Sequence, residues 1–236
     1  MRPTKKDIAE EQQRYYTRTA GKYDDLHLHE KDEHYFALSL LRGVLDYLDA
    51  RSILDIGSGT GRALIYLKNK RPDLKIIGVE PVTALREVGY TKGLSKDELV
   101  PGDAQQLAFS DGEFDIVCEF GVLHHIRDPA RVVAEMLRVA KKAIFISDAN
   151  NFGQGSVLKR GIKQTLHTFG MWRLARYLWG DILYSEADGI SYSYSVFDNY
   201  KQIRCQCSPI YLFNTRGEGW NLYRTAGVVA LLGMKK

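Results

Sequence analysis

Residues 54–61 read Leu-Asp-Ile-Gly-Ser-Gly-Thr-Gly. Asp55 stands two residues before Gly57, and Gly59 and Gly61 follow at every second position. Glycine lets a backbone take positive φ and approach a ligand closely, so a turn of this composition suits a nucleotide-like molecule. A dinucleotide fingerprint needs G-x-G-x-x-G. Counted from Gly57, its last glycine falls on Arg62, and that pattern fails. Metal chemistry has less support. His27-x-His29 has no acidic or cysteine cluster at ligand spacing. Cys205-x-Cys207 reads as two small residues on one face of a strand. No metal site is expected.

The elements around the turn follow from periodicity. Residues 4–19 are helical and polar, and a second helix runs from Glu33 to Leu48 with Phe36, Leu40, Leu41, Val44, Leu45 and Leu48 on one face. Short apolar strands follow at 52–56, 75–79, near Leu99, at 114–118 and at 143–146. Helices alternate with them at 60–70, 82–91 and 129–140. Pro129 suits a first helical turn, with Asp128 as its cap. Strands alternating with helices predict an α/β fold, a parallel sheet covered on both faces. Segments 210–213 and 227–232, separated by the turn-like RGEGW, predict a closing antiparallel hairpin.

The D-x-G-x-G-x-G turn between a strand and a helix resembles motif I of the class I S-adenosylmethionine-dependent methyltransferases. Glu80 in IIGVEP, PGDAQQLAF at 101–109 and FDIVCEFGVLHHIRDP at 114–129 resemble the family's later core segments in the same order. The resemblance covers residues 50–148. It implies a Rossmann-like, mostly parallel seven-stranded sheet with S-adenosyl-L-methionine as cofactor. It also implies cofactor contacts from Asp55, Gly57, Ser58, Gly59, Gly61, Glu80, Pro81, Asp103, Ala104, Glu119 and Phe120. Glu80 would accept both ribose hydroxyls, Asp103 would face the adenine amino group, and the helix start after Gly59 suits the cofactor's carboxylate. RYYTRTAGKYDDL, residues 14–26, resembles the family's lid, and Tyr15, Tyr16 and Tyr23 could shield the sulfonium.

Methyl transfer of this kind needs the acceptor held close and in line, and a base only where the acceptor must lose a proton. His124, His125 and His167 are the candidates, with His125 and His167 retained as catalytic residues. The turn CEFG lacks the Asn/Asp-Pro-Pro-aromatic motif of amino-directed nucleic-acid methyltransferases, so nucleic acid is not the expected acceptor.

After Asn150 the composition changes. Residues 151–180 contain Lys159, Arg160, Lys163, Arg173 and Arg176 and no acid, with Leu158, Ile162, Leu166 and Phe169 at helical spacing and Trp172, Tyr177 and Trp179 after them. Three readings stand: a helix packed on the domain, a mouth for an anionic acceptor, or a basic amphipathic helix resting on a membrane. In DGISYSYSVFDNY a strand would put Tyr192, Tyr194 and Val196 on one face, suited to stacking on a sugar. Arg160, Trp172, Tyr192 and Tyr194 are the candidate substrate contacts. The domain organisation expected is a helical lid at 1–50, a cofactor-binding core at 51–150, an inserted cap at 151–200 and the closing hairpin at 201–236.

The 236 residues carry a net charge of +4, with 44% hydrophobic and 26% charged residues. These are values of an ordinary globular chain, and the mild basicity does not indicate a nucleic-acid binder. Three cysteines fit a reducing compartment rather than a disulfide framework. MRPTKKDIAE has no apolar core for secretion and no run is long enough to span a bilayer, so a cytoplasmic protein is expected. The function expected is methyl transfer to oxygen or nitrogen of a small-molecule or saccharide-type acceptor. The alternatives are an RNA or protein methyltransferase, or a binder of S-adenosylmethionine without catalysis.

Overall fold

The computed structural model describes residues 5–27, 29, 31–180, 182–185 and 188–236, with the side chains of 5–9, 173 and 179 excepted. Arg173 and Trp179, two of the cap residues noted above, therefore have side chains outside the described residues.

The first three helices are α1 (Lys5–Thr19), α2 (Tyr23–His27) and α3 (Glu33–Tyr47). The alternating core follows: β1 (Ser52–Ile56), α4 (Arg62–Lys70), β2 (Lys75–Val79), α5 (Thr83–Thr91), β3 (Leu99–Val100), β4 (Phe114–Phe120), α6 (Pro129–Val139) and β5 (Ala140–Ala149). The segment beyond holds α7 (Val157–Thr168), α8 (Trp172–Trp179) and a separate antiparallel hairpin of β6 (Ile182–Ser185) and β7 (Gly189–Tyr192). The chain ends with α9 (Tyr200–Gln206), β8 (Cys207–Gly217), α10 (Leu222–Thr225) and β9 (Ala226–Lys235).

The main sheet has seven strands in the order β3-β2-β1-β4-β5-β9-β8. The first five are parallel, and β9 joins β5 antiparallel with β8 outside it. Strand alternation divides the core between the two faces. Leu54, Val117, Ile144 and Ile146 pack on one side with α6 residues Val132, Val133 and Met136. Ile53, Ile116, Ala143 and Phe145 pack on the other with Leu38, Leu41 and Leu45 of α3. The strand order reverses between β1 and β4, and the chain leaves both at the same sheet edge, where open α/β sheets bind ligands.

Several local expectations need correction. The buried face of α3 is Ala37, Leu38, Leu41 and Leu45, while Phe36 is exposed; its apolar stripe is centred nearer its alanine. Helix α3 thus packs into the core, although the sequence places it in the lid segment. Asp128 precedes α6 without a side-chain capping bond, and Pro129 opens the helix. Cys205 lies on α9 and is exposed, whereas Cys207 opens β8 and is buried, so the two thiols share no strand face.

Candidate active site

The turn after β1 is held by three glycines of positive φ: Gly57 at 65°, Gly59 at 57° and Gly61 at 84°. They serve different neighbours. A Cβ on Gly59 would meet the Tyr23 hydroxyl at 2.9 Å, and one on Gly61 would meet Leu94 Cδ1 at 2.2 Å. Gly61 therefore lets α4 start against Leu94, and Gly59 lets Tyr23 lie on the turn. Neither is among the residues lining the two recesses beside the turn.

Two recesses flank this turn. A cavity of about 290 Å³ is lined by Gly57, Glu80, Pro81, Asp103, Ala104, Phe120, Val122, His125, Tyr16 and Tyr23, among others. A smaller recess of about 20 Å³ is lined by Asp55, Gly57, Ser58, Thr60, Phe120 and Tyr23. The structure thus gathers Asp55, Gly57, Ser58, Glu80, Pro81, Asp103, Ala104, Phe120 and Tyr23 around one site.

Its electrostatics fit a cationic nucleoside. Burial pushes the Asp55 carboxyl up to about 7, and no salt bridge to it forms among the described residues. Glu80 is likewise raised by burial, to about 6, although its Oε2 accepts the Gly59 N–H at 2.9 Å and its Oε1 the Val82 N–H at 2.8 Å. A carboxylate has about four lone-pair sites, so both oxygens keep capacity for ribose hydroxyls. Two desolvated acids beside a cavity are the charge pattern that a bound ammonium or sulfonium would compensate.

Two expected contacts lie elsewhere. Glu119 is fully buried and lines neither recess; its Oε2 accepts the Val122 N–H at 2.8 Å. Burial and the nearby Asp148 charge push its carboxyl up strongly. Tyr15 is 4% exposed and packs against Gly189 of β7. Tyr16 faces the cavity instead. Neighbours on a helix diverge by about 100°, so the two tyrosines cannot share a role.

The first segment is fastened over this site. Thr60 Oγ1 donates to Asp24 of α2 at 2.6 Å, Lys92 bridges the same two residues, and Arg62 pairs with Asp32 at 2.9 Å.

Beyond Phe120 and Gly121 opens a second cavity of about 440 Å³. Five of the chain's six histidines line it: His27, His29, His34, His124 and His125. Tyr192 lines it too. His125 belongs to both cavities. Its Nδ1 lies 2.7 Å from the Ile190 carbonyl oxygen, which can only accept, so Nδ1 carries the proton. Its Nε2 lies 3.1 Å from the Tyr16 hydroxyl and 3.3 Å from Asp188 Oδ1. Burial holds the Tyr16 phenol well above its usual pKa, so it stays a donor.

His124 Nδ1 lies 2.7 Å from Asp148 Oδ1, and its Nε2 3.4 Å from Asp188 Oδ2. Burial works against a charge on His124, but the two carboxylates outweigh it and raise the imidazole to about 10. Burial also opposes the Asp188 charge, yet the two histidines hold that carboxyl well below its usual range. His34 is pushed down to about 4 by burial, with Nδ1 3.0 Å from Ser147 Oγ. The acids His124 and His125 meet, Asp148 and Asp188, come from distant parts of the chain, which is why spacing alone showed no ligand-like cluster.

The remaining expectations fare unevenly. His167 lines neither cavity; it stacks on Phe152 and its Nδ1 lies 2.6 Å from the Tyr223 hydroxyl. Trp172 is buried against Phe152 and does not reach the acceptor side. Tyr194 lies at the cavity edge but is 3% exposed, and its hydroxyl donates to Asn199 at 3.1 Å. The expected strand stops at Tyr192. Beyond it Ser195 and Asp198 form a reciprocal capping box that turns the chain into a short 3₁₀ helix, so Val196 shares no strand face with the tyrosines. Arg160 lies in an adjoining groove of about 520 Å³, lined also by Arg216 and Gln154.

Sheet order and glycine turn together define the class I S-adenosylmethionine-dependent methyltransferase fold. Residues 54–146 match the model of the methyltransferase-domain family. The chain is 33% identical over 95 residues to a demethylmenaquinone methyltransferase of Thermotoga maritima, covering 40% of this chain and 41% of that protein. It is 32% identical over 95 residues to ajmaline N-methyltransferase of Rauvolfia serpentina, covering 38% and 32%. The chain thus spans between about a third and about two fifths of the length of these relatives. Among solved structures, a T. maritima S-adenosylmethionine-dependent methyltransferase aligns over 94% of this chain and 99% of its own, with TM-score 0.59 and 19% identity. An Aquifex aeolicus one aligns over 92% and 98%, with TM-score 0.54 and 15% identity. These likenesses show the shared fold. S-adenosylmethionine is the expected cofactor.

Proposed function

We propose that this chain is an S-adenosylmethionine-dependent methyltransferase acting on oxygen or nitrogen of a small-molecule or saccharide-type acceptor. The observation that carries this reading is the place of His125, in the wall shared by the cofactor cavity and the histidine-lined cavity. Bound S-adenosylmethionine supplies an electrophilic methyl group whose leaving group is neutral. Glu80, Asp103 and Ala104 would hold its nucleoside, and Asp55 with the turn at Gly57 and Ser58 its amino-acid end.

The chain's own work is then alignment and proton handling. Tyr16 and Tyr23 cover the site from α1 and α2 respectively and would keep water away. Where the acceptor is a hydroxyl, neutral His125 would take its proton at Nε2 in place of the Tyr16 and Asp188 contacts, since Nδ1 is committed to Ile190. Before the acceptor enters, the Tyr16 hydroxyl at Nε2 holds the ring in that orientation. The relatives named above act on a demethylmenaquinone and on ajmaline, both small molecules, in keeping with an acceptor cavity of about 440 Å³. Labelled S-adenosylmethionine incubated with the protein and fractionated cell extract tests the proposal. Label in small metabolites or glycans supports it; label only in RNA or protein overturns the acceptor class, and cofactor binding without turnover favours the non-catalytic alternative.

The segment 151–200 adds a location. No described helix is long and apolar enough to cross a membrane. Yet Val157, Leu158, Phe169, Leu174, Tyr177 and Leu178 are all largely exposed, in a stretch without an acid from 151 to 180. Exposed apolar side chains beside Lys159 and Arg160 complement an anionic bilayer surface. We therefore assign this face to peripheral contact with anionic lipid, which would bring the acceptor cavity to a lipid-linked acceptor.

A further inference from the structure

The wall between the two cavities carries more than a proton acceptor. We infer that His124, His125 and Asp188 form a binding site for a divalent first-row transition-metal ion.

Three observations support this. The ligand atoms converge: one nitrogen of each histidine and a carboxylate oxygen of Asp188 all lie within 4.8 Å of one another. His124 Nε2 and His125 Nε2 stand 3.4 and 3.3 Å from the two Asp188 oxygens. Ligands at about 2.1 Å from a tetrahedral ion are about 3.4 Å apart, so these separations need little adjustment.

The second observation is the outer shell. A metal-ligating histidine usually donates its other ring N–H to a carboxylate or a backbone carbonyl, which fixes the tautomer and aims the free nitrogen. Both histidines do this: His124 Nδ1 is bonded to Asp148 at 2.7 Å, and His125 Nδ1 to the Ile190 carbonyl at 2.7 Å. The partners come from β5 and β7, so the two rings are oriented from opposite sides of the cavity.

Third, the site has access and spare donors. Asp188 is 38% exposed at the side chain, giving an entry path. His27 Nδ1 lies 3.8 Å from Asp188, and its buried Nε2 has no hydrogen-bond partner among the described residues. Two imidazoles and one carboxylate leave coordination positions open toward the 440 Å³ cavity, and this donor set suits zinc, cobalt, iron(II) or manganese.

The ion's role rests on the methyl-transfer reading; its binding does not. In the loaded protein His125 Nε2 is a ligand rather than a proton acceptor. An acceptor hydroxyl at an open position would be acidified by the ion and lose its proton to solvent.

The test uses the full chain, stripped with chelator, titrated with Co²⁺ and Zn²⁺ by calorimetry, with the visible bands of bound Co²⁺ as a second readout. One equivalent should bind. Asp188→Asn and His124→Ala should weaken uptake at least tenfold, and Asp148→Asn, a positioning residue, about 10- to 100-fold. His167→Ala, a histidine outside the site, should leave it unchanged. Circular dichroism checks that each variant is folded. No uptake by the parent protein, or undiminished uptake by a folded His125→Ala/Asp188→Asn double variant, overturns the site. Cofactor binding by the chelator-treated protein is read separately, so uptake of Co²⁺ without S-adenosylmethionine binding would defeat the methyl-transfer reading alone.

Discussion

The backbone N–H of Gly59 donates to Oε2 of Glu80 at 2.9 Å, tying the turn after β1 to the end of β2. One carboxylate thereby shapes the glycine turn and stands ready for the ribose. Glu80→Ala removes both roles and should weaken S-adenosylmethionine binding by about 1–3 kcal/mol, measured by calorimetry. The same carboxylate sets a pH dependence. With its pKa raised by burial to about 6, it is charged at pH 7.5 and mostly protonated at pH 5. Ribose hydroxyls donate to the charged form, so affinity should fall as pH drops through 6, and Glu80→Gln should flatten that fall. An affinity unchanged between pH 7.5 and 5 would remove Glu80 from the ribose.

Asp55 makes the opposite demand on stability. Its folded pKa is raised by burial to about 7 from an ordinary 3.8. Between those values the unfolded chain has released a proton that the folded chain keeps, so stability falls as pH rises from about 4 to 7. Asp55→Asn should therefore stabilise the cofactor-free protein at pH 8 by about 1–2 kcal/mol, a few degrees in Tm. The gain should vanish near pH 4, where both states of the parent are protonated. Thermal unfolding at the two pH values reads this directly, and the variant should bind the cofactor less well.

The contrast between these two acids and the histidine-lined cavity explains what the sequence could show. Asp55, Gly57, Glu80 and Asp103 lie at the ends of successive strands, so a local pattern carries each one. The acceptor side has no such pattern. His27, His124 and Asp188 meet only because α2, the turn after β4 and the small β6–β7 hairpin fold over one sheet edge. Periodicity also cannot choose between Tyr15 and Tyr16, because both lie within an otherwise almost wholly polar helix; the packing of Tyr15 on Gly189 decides it. His167 and Trp172 misled for the converse reason. Their residue types suit chemistry, but a local aromatic cluster around Phe152 satisfies them.

Gly61 separates packing from binding. Its φ is 84°, and an added Cβ would meet Leu94 Cδ1 at 2.2 Å. Gly61→Ala should cost about 1–3 kcal/mol of folding stability from the backbone conformation. At a temperature where the variant stays folded, its cofactor affinity should remain within about threefold of the parent, since a change below 1 kcal/mol is expected where no ligand contact is lost. A large loss of affinity with unchanged Tm would return Gly61 to the binding site.

Tyr16 and His125 form the next testable pair. Tyr16→Phe removes the hydroxyl 3.1 Å from His125 Nε2 while keeping the ring over the cavity. In the metal-free protein His125→Ala should lower kcat/KM for a hydroxyl acceptor by about 10²–10⁴. Tyr16→Phe should lower it less, mainly in kcat, because the ring still excludes water. Neither should matter much for an amine that reacts in its neutral form. Label incorporation at several pH values, compared between hydroxyl and amine fractions, checks both statements. Equal losses on both acceptor classes would show that His125 acts by shape and not by taking a proton.

The exposed face of the cap gives the last prediction. Val157 and Leu158 are about three-quarters exposed, as is Phe169 at the far end of α7, and Lys159 and Arg160 stand between them in sequence. An apolar face gains by entering the acyl boundary, and each nearby cation adds about 1 kcal/mol on an anionic surface. The protein should therefore co-float with vesicles of phosphatidylglycerol and phosphatidylcholine and not with phosphatidylcholine alone. Lys159→Glu/Arg160→Glu should lose that binding through charge, and Leu158→Ser/Phe169→Ser through apolar area, with cofactor affinity intact in both. Moderate salt should weaken the association, because the electrostatic share is screened within a Debye length of about 8–10 Å. Failure to float with anionic vesicles, together with a concentration-dependent dimer abolished by Leu158→Ser/Phe169→Ser, would assign the face to a second copy of the chain instead.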